Sequence, residues 1–212
     1  MAIAINGSGT VTGISVGGLP DGIVDAGTLA SNSVETAKLA AGAATQAKRT
    51  YAAGEVVQVK SYTMPDWDSA AIAANAWWDL AASGTYEVDI TPTSTSSKIL
   101  VFGHVYLSCA TDNTSAFVKI MRDSTMVGSG TASSSRRQIN GHVFLSADYH
   151  RVPLAFNCID SPSSTSSLKY AANIGHSSTS SRTFYMNRTI DTDDSYSNPR
   201  TASSITVMEI AQ

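Results

Sequence analysis

From Glu55 onward apolar and polar residues alternate in short runs, separated by clusters of Ser, Thr, Gly, Asp and Pro. Alternation with a period of two is the mark of a strand with one buried face. It predicts strands over Glu55–Tyr62, Thr85–Ile90, Lys98–Cys109, Ala116–Arg122, His142–Ala147, Val152–Cys158, Leu168–Ile174, Thr183–Asn187 and Ile205–Ile210. The breaks between them, such as Thr91-Pro-Thr-Ser-Thr-Ser-Ser97 and Ser161-Pro-Ser-Ser-Thr-Ser-Ser167, are turn chemistry. Many strands and no long helical period predict a β-sandwich or jelly roll. Ala70–Ala82 stays open: its alanines suit a helix, whereas Trp77-Trp78 and Gly84 do not settle the matter.

One strand departs from simple alternation. In Leu100–Leu107 one face shows Leu100, Phe102, His104 and Tyr106, and the other shows Val101, Gly103, Val105 and Leu107. A strand apolar on both sides is central to a core or packed on a neighbouring subunit. Leu100, Phe102, Val105 and Leu107 are therefore expected in the head core or at a subunit interface.

Upstream the texture changes twice. Residues 1–22 are punctuated by Asn6-Gly-Ser-Gly9, Gly13, Gly17-Gly18 and Leu19-Pro-Asp-Gly22, with β-branched residues between. Such short extended pieces carry too little apolar mass for a core of their own. They read as an anchor held by another protein, or as a frayed terminus. Residues 23–54 hold a ten-residue repeat in which Val24, Val34 and Ala44 recur, followed by Leu29-Ala30 and Leu39-Ala40. Two or three apolar side chains per unit cannot be buried within one chain, so copies must pack together. Val24, Leu29, Val34 and Leu39 are the expected contacts of a thin shaft, and a closed threefold is the natural symmetry for a shaft and head on one axis. The same composition also suits a flexible linker. The head is then 55–212.

Composition supports this picture. Ser and Thr make up about a quarter of the chain, which favours strands with polar outer faces and tight turns. Charged residues are 15% and the net charge is −3, so neither nucleic acid nor an anionic membrane is an expected partner. No apolar run reaches the roughly 18 residues of a membrane span. Met1–Ile5 lacks a basic start and stops at Asn6-Gly7, so folding in a cytoplasm is expected. Cys109 and Cys158 lie in apolar strand contexts and read as buried thiols.

The chemistry-bearing residues point to binding rather than catalysis. There is no Gly-x-Ser-x-Gly, and His104, His142, His150 and His176 lack metal-ligand spacing, so no catalytic, cofactor or metal site is expected. Asp66 with Asp68, and Asp191, Asp193 and Asp194, are neighbours in single loops and seldom face each other across a sugar ring. The second group lacks the Gly and distal Glu of an EF-hand, and solvated turn residues are the preferred reading. Arg136, Arg137, Tyr149, Arg151, Tyr196 and Arg200 place guanidinium and aromatic groups in loops or at strand edges. Flat rings and forked donors suit sugars and acidic groups, and equally a subunit seam.

The opening Ile5–Gly22 resembles the start of many bacteriophage tail-fibre and virion structural proteins. The unit Val34-Glu-Thr-Ala-Lys-Leu-Ala40 resembles their shaft repeats. Thr91–Leu100, Asp160-Ser-Pro162, Tyr170, Asn187-Arg188 and Ser203–Ile210 are similar to a C-terminal head of such fibres. The resemblance implies a homotrimer in the virion, made in the host cytoplasm. Its N-terminus would join another virion protein and its head would meet a bacterial surface glycan or protein. It carries over no specific binding residue. The chain is short for a long fibre, so a stubby fibre, one link of a compound fibre or a capsid spike fits better. A capsid head fibre or decoration protein is the structural alternative.

Overall fold

The structure, a computed structural model, describes residues 4–5, 11–12, 49–82, 84, 86–111, 113–146, 150–191, 196 and 198–212. Val24, Leu29, Val34 and Leu39, like most of 1–54, lie outside the described residues. The chain divides into two units, Met1–Thr50 and Tyr51–Gln212. In the first, β1 (Ala4–Ile5) pairs antiparallel with β2 (Val11–Thr12).

The second unit is a jelly-roll-like sandwich of two antiparallel six-stranded sheets. The first sheet holds β3 (Val56–Met64), β4 (Asp68–Ile72), β7 (Lys98–Cys109), β11 (Val152–Asp160), β13 (Arg182–Met186) and β14 (Ser203–Ile210). Its axis is β7, long enough to serve three partners. β11 runs along one edge from Ile99 to Leu107. On the other edge β14 takes Lys98–His104 and β13 takes Leu107–Cys109. β3 then pairs with β14, and β4 with β13.

The second sheet holds β5 (Trp78–Asp79), β6 (Glu87–Ile90), β8 (Thr114–Arg122), β9 (Thr125–Val127), β10 (Gly141–Leu145) and β12 (Leu168–His176). β8 and β12 form its centre. β10 and β9 share the outer edge of β8, while β6 and β5 share that of β12.

The period-two pattern places the core. Val101, Val105 and Leu107 of β7 and Ile205 and Val207 of β14 are fully buried against Val118, Ile120, Tyr170, Ala172 and Ile174 of the other sheet. Polar groups that cross the core are paired, as burial in a low dielectric requires. The Tyr86 hydroxyl lies 2.5 Å from Ser204 O and 3.0 Å from His104 O, and burial pushes its phenol well up. Asp160 of β11 accepts from Arg122 Nη1 and the Tyr170 hydroxyl of the opposite sheet, both at 2.7 Å.

Ala70–Ala82 resolves as strand, turn and strand. β4 ends at Ile72, and β5 pairs Trp78 with Ile174 and Asp79 with Asn173. Alternation did not predict β4, β5 or β9, and it set the start of β6 two residues early. Leu100–Leu107 is buried on one face only. Val105 and Leu107 are core, whereas Leu100 and Phe102 stand on the outer face.

Both cysteines are buried thiols. Burial, then the field of Asp160, pushes the Cys158 thiol up to about 11. Since the thiolate is the nucleophile, Cys158 in the folded protein is expected to resist iodoacetamide at pH 8 while the unfolded chain reacts readily. Labelling read by mass spectrometry with and without denaturant checks this.

Candidate functional site

Two outer sheet faces carry more than solvated polar residues. On the first sheet, register aligns Val59, Met208, Leu100 and Ile159 in one row across β3, β14, β7 and β11. Val59 is 49% exposed and Ile159 60%, and Leu100 and Met208 are half-buried. Phe102, in the next row, is 37% exposed. An apolar row across four strands is unusual on a face turned to water, since lone exposed apolar residues are ordinary and contiguous ones are not. Among the described residues, the buried core of the sandwich does not include them.

On the second sheet the outer face is aromatic and charged. Register puts Lys119 of β8, Asn173 of β12 and Asp79 of β5 side by side. With the Asn173 amide turned to satisfy both groups, its nitrogen donates to Asp79 Oδ1 at 3.1 Å. Ala81 N donates to the same oxygen at 3.0 Å. Two residues along β12, Gly175 leaves room for the Trp77 ring. A Cβ at 175 would meet the ring at 2.8 Å. The Lys119 ammonium sits 3.8 Å from the Trp77 ring centroid, a cation–π distance. Arg137 donates to Asn75 Oδ1, and its guanidinium stands 5.9 Å from the Phe117 ring. Burial lowers the Lys119 pKa, and the nearby Arg137 charge lowers it further.

Beside Trp77 an open pocket of about 570 Å³ is bounded by Trp77, Trp78, Asp79 and the small side chains of Ala70, Ala71 and Ala73. Its size is within the ordinary range for small-molecule sites. Trp77 lies just before β5 and Trp78 opens it. Trp78 packs against the core, which turns Trp77 outward onto Gly175.

The residues expected to meet a receptor are dispersed. Arg137 joins the Trp77 face. Arg136 is exposed in the turn before it, and Arg200 and Tyr196 are exposed in the segment before β14. Arg151 is half-buried, with its Nη1 enclosed and unbonded. Tyr149, Asp193 and Asp194 lie outside the described residues. Among the described residues, no group of three His, Cys, Asp or Glu gathers as metal ligands do. No helix among them is long and apolar enough to cross a membrane. The sequence reading missed Trp77, Lys119 and Asn75. The available signal was the Trp77-Trp78 pair, one of whose rings must face outward in a strand.

No protein-family model and no curated protein matches the chain. Among solved structures it is similar to that of infectious bursal disease virus Gx strain, at 12% identity and a TM-score of 0.40, covering 75% of this chain and 43% of that one. It is likewise similar to the infectious bursal disease virus VP2 subviral particle, at 12% identity and a TM-score of 0.37, covering 73% and 38%. The Eiger TNF structure from S. frugiperda gives 10% identity and a TM-score of 0.36, covering 73% and 92%. The chain thus spans less than half the length of these two viral chains. Likeness of this size sets neither a family nor a function.

Proposed function

We propose that this chain is a bacteriophage virion fibre protein that works as a homotrimer. Its N-terminal segment holds to another virion protein, its short shaft packs copies side by side, and its β head meets the bacterial surface. It acts by binding and not by catalysis. The observation that carries this reading is the apolar row Val59, Met208, Leu100 and Ile159 on the outside of a sandwich whose core is already filled. A second copy is the natural cover, because the repeat at 23–54 also requires copies in register. The sequence resemblance of 5–22, 34–40 and 203–210 to phage fibres names the setting. Repetition of weak sites around an axis raises avidity without new contacts.

Sedimentation of the full chain tests the assembly. The wild-type protein is expected to run as a trimer at micromolar concentration. Leu100→Asp with Ile159→Asp should shift it to smaller species, since each charge would need desolvation in the seam. Lys119→Gln, on the other sheet, should leave it trimeric. A monomeric wild-type protein, or a double variant that stays trimeric, refutes the seam.

Immunogold labelling of intact particles with an antibody to the head tests the setting. Label at the tail, together with block of adsorption by added protein, is the expected result. Label spread over the capsid favours a head fibre or decoration protein instead.

A further inference from the structure

The face around Trp77 has a polarity that the assembly does not use. Across one row of the second sheet stand a cation, an amide and a carboxylate: Lys119, Asn173 and Asp79. Strands lie about 4.8 Å apart, so the row spans about 10 Å from first to third strand. Trp77 stands over Gly175 at its side, with one flat ring against the Lys119 ammonium.

The positive end holds two like charges. Arg137 is near enough to Lys119 to disfavour its charged form. Among the described residues, the ion pairs are Arg122–Asp160 and Lys169–Glu87, so neither Lys119 nor Arg137 has a carboxylate partner there. Holding two cations together beside an aromatic ring without a counter-charge costs free energy, and a bound anion removes that cost. The negative end is different. Asp79 already accepts from Asn173 and Ala81, which fixes the carboxylate in place and leaves its second oxygen for a donor.

A ligand that satisfies all three parts has an apolar face, an anionic group at one end and hydroxyl donors at the other. We propose that the Trp77 face binds a pyranose ring carrying a carboxylate, as a residue of an acidic surface polysaccharide. The sugar packs its C–H face on Trp77 as the Lys119 ammonium leaves its place over the indole to meet the carboxylate. Its carboxylate lies at Lys119 and Arg137, and its hydroxyls point toward Asp79 and into the alanine-lined pocket. The indole supplies area, and the charged row sets direction and selects the acid over its neutral analogue. This assignment deepens the host-contact reading above and rests on it for its biological source.

Calorimetric titration of the full chain with trigalacturonic acid and with its trimethyl ester tests the site. The ester keeps the ring and hydroxyls and removes the charge. The acid is expected to bind at least tenfold more tightly than the ester, the scale of one charge-assisted hydrogen bond. Lys119→Gln should cut that preference severalfold, and Lys119→Gln with Arg137→Gln should abolish it. Trp77→Ala should weaken both ligands about tenfold, and Trp77→Phe, which keeps a ring and guards against misfolding, should restore part of the loss. Equal binding of acid and ester, no binding of either, or a Lys119→Gln protein that keeps the preference undiminished overturns the assignment. The two readings fail separately. If wild-type and Lys119→Gln proteins block adsorption equally, the fibre reading stands and the site falls. If the protein is absent from the particle yet shows the acid preference, the site stands and the fibre reading falls.

Discussion

Glu209→Ala is expected to lose about 3–5 kcal/mol of unfolding free energy, a large share of what a domain possesses. Glu209 is fully buried near the end of β14. Its Oε1 accepts from Thr93 N, Thr93 Oγ1 and Ser97 Oγ, each at 2.7 Å, and its Oε2 accepts from Gln58 Nε2 at 2.6 Å. One carboxylate therefore ties the Ser/Thr loop before β7 to β3 and β14. Truncation leaves these donors without that acceptor, and burial makes the loss larger than at a surface. Glu209→Gln keeps the shape but turns one acceptor into a donor, so it should be less harmful than Ala and clearly destabilising.

The same group makes stability depend on pH. Burial alone pushes its carboxyl up, but the bonds from Gln58, Ser97 and Thr93 outweigh it and hold the pKa below the ordinary 4.5. A depressed pKa means that the unfolded chain takes up the proton first. The stabilisation is complete above the ordinary value and is lost as pH falls from there through the folded value. Urea midpoints between pH 7 and pH 3 should fall more steeply in wild type than in Glu209→Gln. Parallel curves would mean that the fold does not hold the Glu209 pKa below its unfolded value.

Asn187→Ala is the second large loss, expected at about 3 kcal/mol. Asn187 is fully buried just after β13, with its backbone at φ +61°. Its side-chain Nδ2 donates to Met64 O at 2.9 Å and Asp66 O at 2.7 Å, and its Oδ1 accepts from Ser203 Oγ at 2.6 Å. Its backbone N donates to Tyr106 O at 3.0 Å. Ala loses the three side-chain bonds and also fits the left-handed backbone poorly. Asn187→Gly loses the same three bonds but fits the left-handed backbone, and should be milder. Asn187→Asp places oxygens against two carbonyls and should be at least as harmful as Ala. Denaturant unfolding of the three variants ranks them, and an Ala variant as stable as wild type would refute the clamp.

Glu209 and Asn187 also show where sequence reading stops. Strand existence was legible wherever β-branched and aromatic residues alternate, as in Lys98–Cys109 and Ile205–Ile210. The strands it missed lack that signal. β4 reads Asp-Ser-Ala-Ala-Ile and owes its extended form to pairing with β13. Alanine carries little preference against such a neighbour. The two polar clamps depend on partners far away in the chain. Gln58 and Glu209 are 151 residues apart in sequence and share one hydrogen bond. The binding face is hidden for the same reason. Arg137 was legible as a loop cation, yet its bond to Asn75 crosses 62 residues, and Lys119 reads as an ordinary outward strand residue. The apolar row needs the registers of four strands at once, and of its members only Leu100 stood out in the chain.

The position of β14 bears on how the head is made. It lies between β3 and β7, and it follows every other strand in chain order. Until it is synthesised, the sheet is left with a vacant slot flanked by two open hydrogen-bonding edges. A growing chain can therefore form the second sheet early, but its first sheet waits for the final strand. Neighbouring nascent chains on one messenger would each offer the same slot and, soon after, the same strand. Exchange of that strand between copies is then a route open to this sandwich, one that would join two chains through backbone bonds.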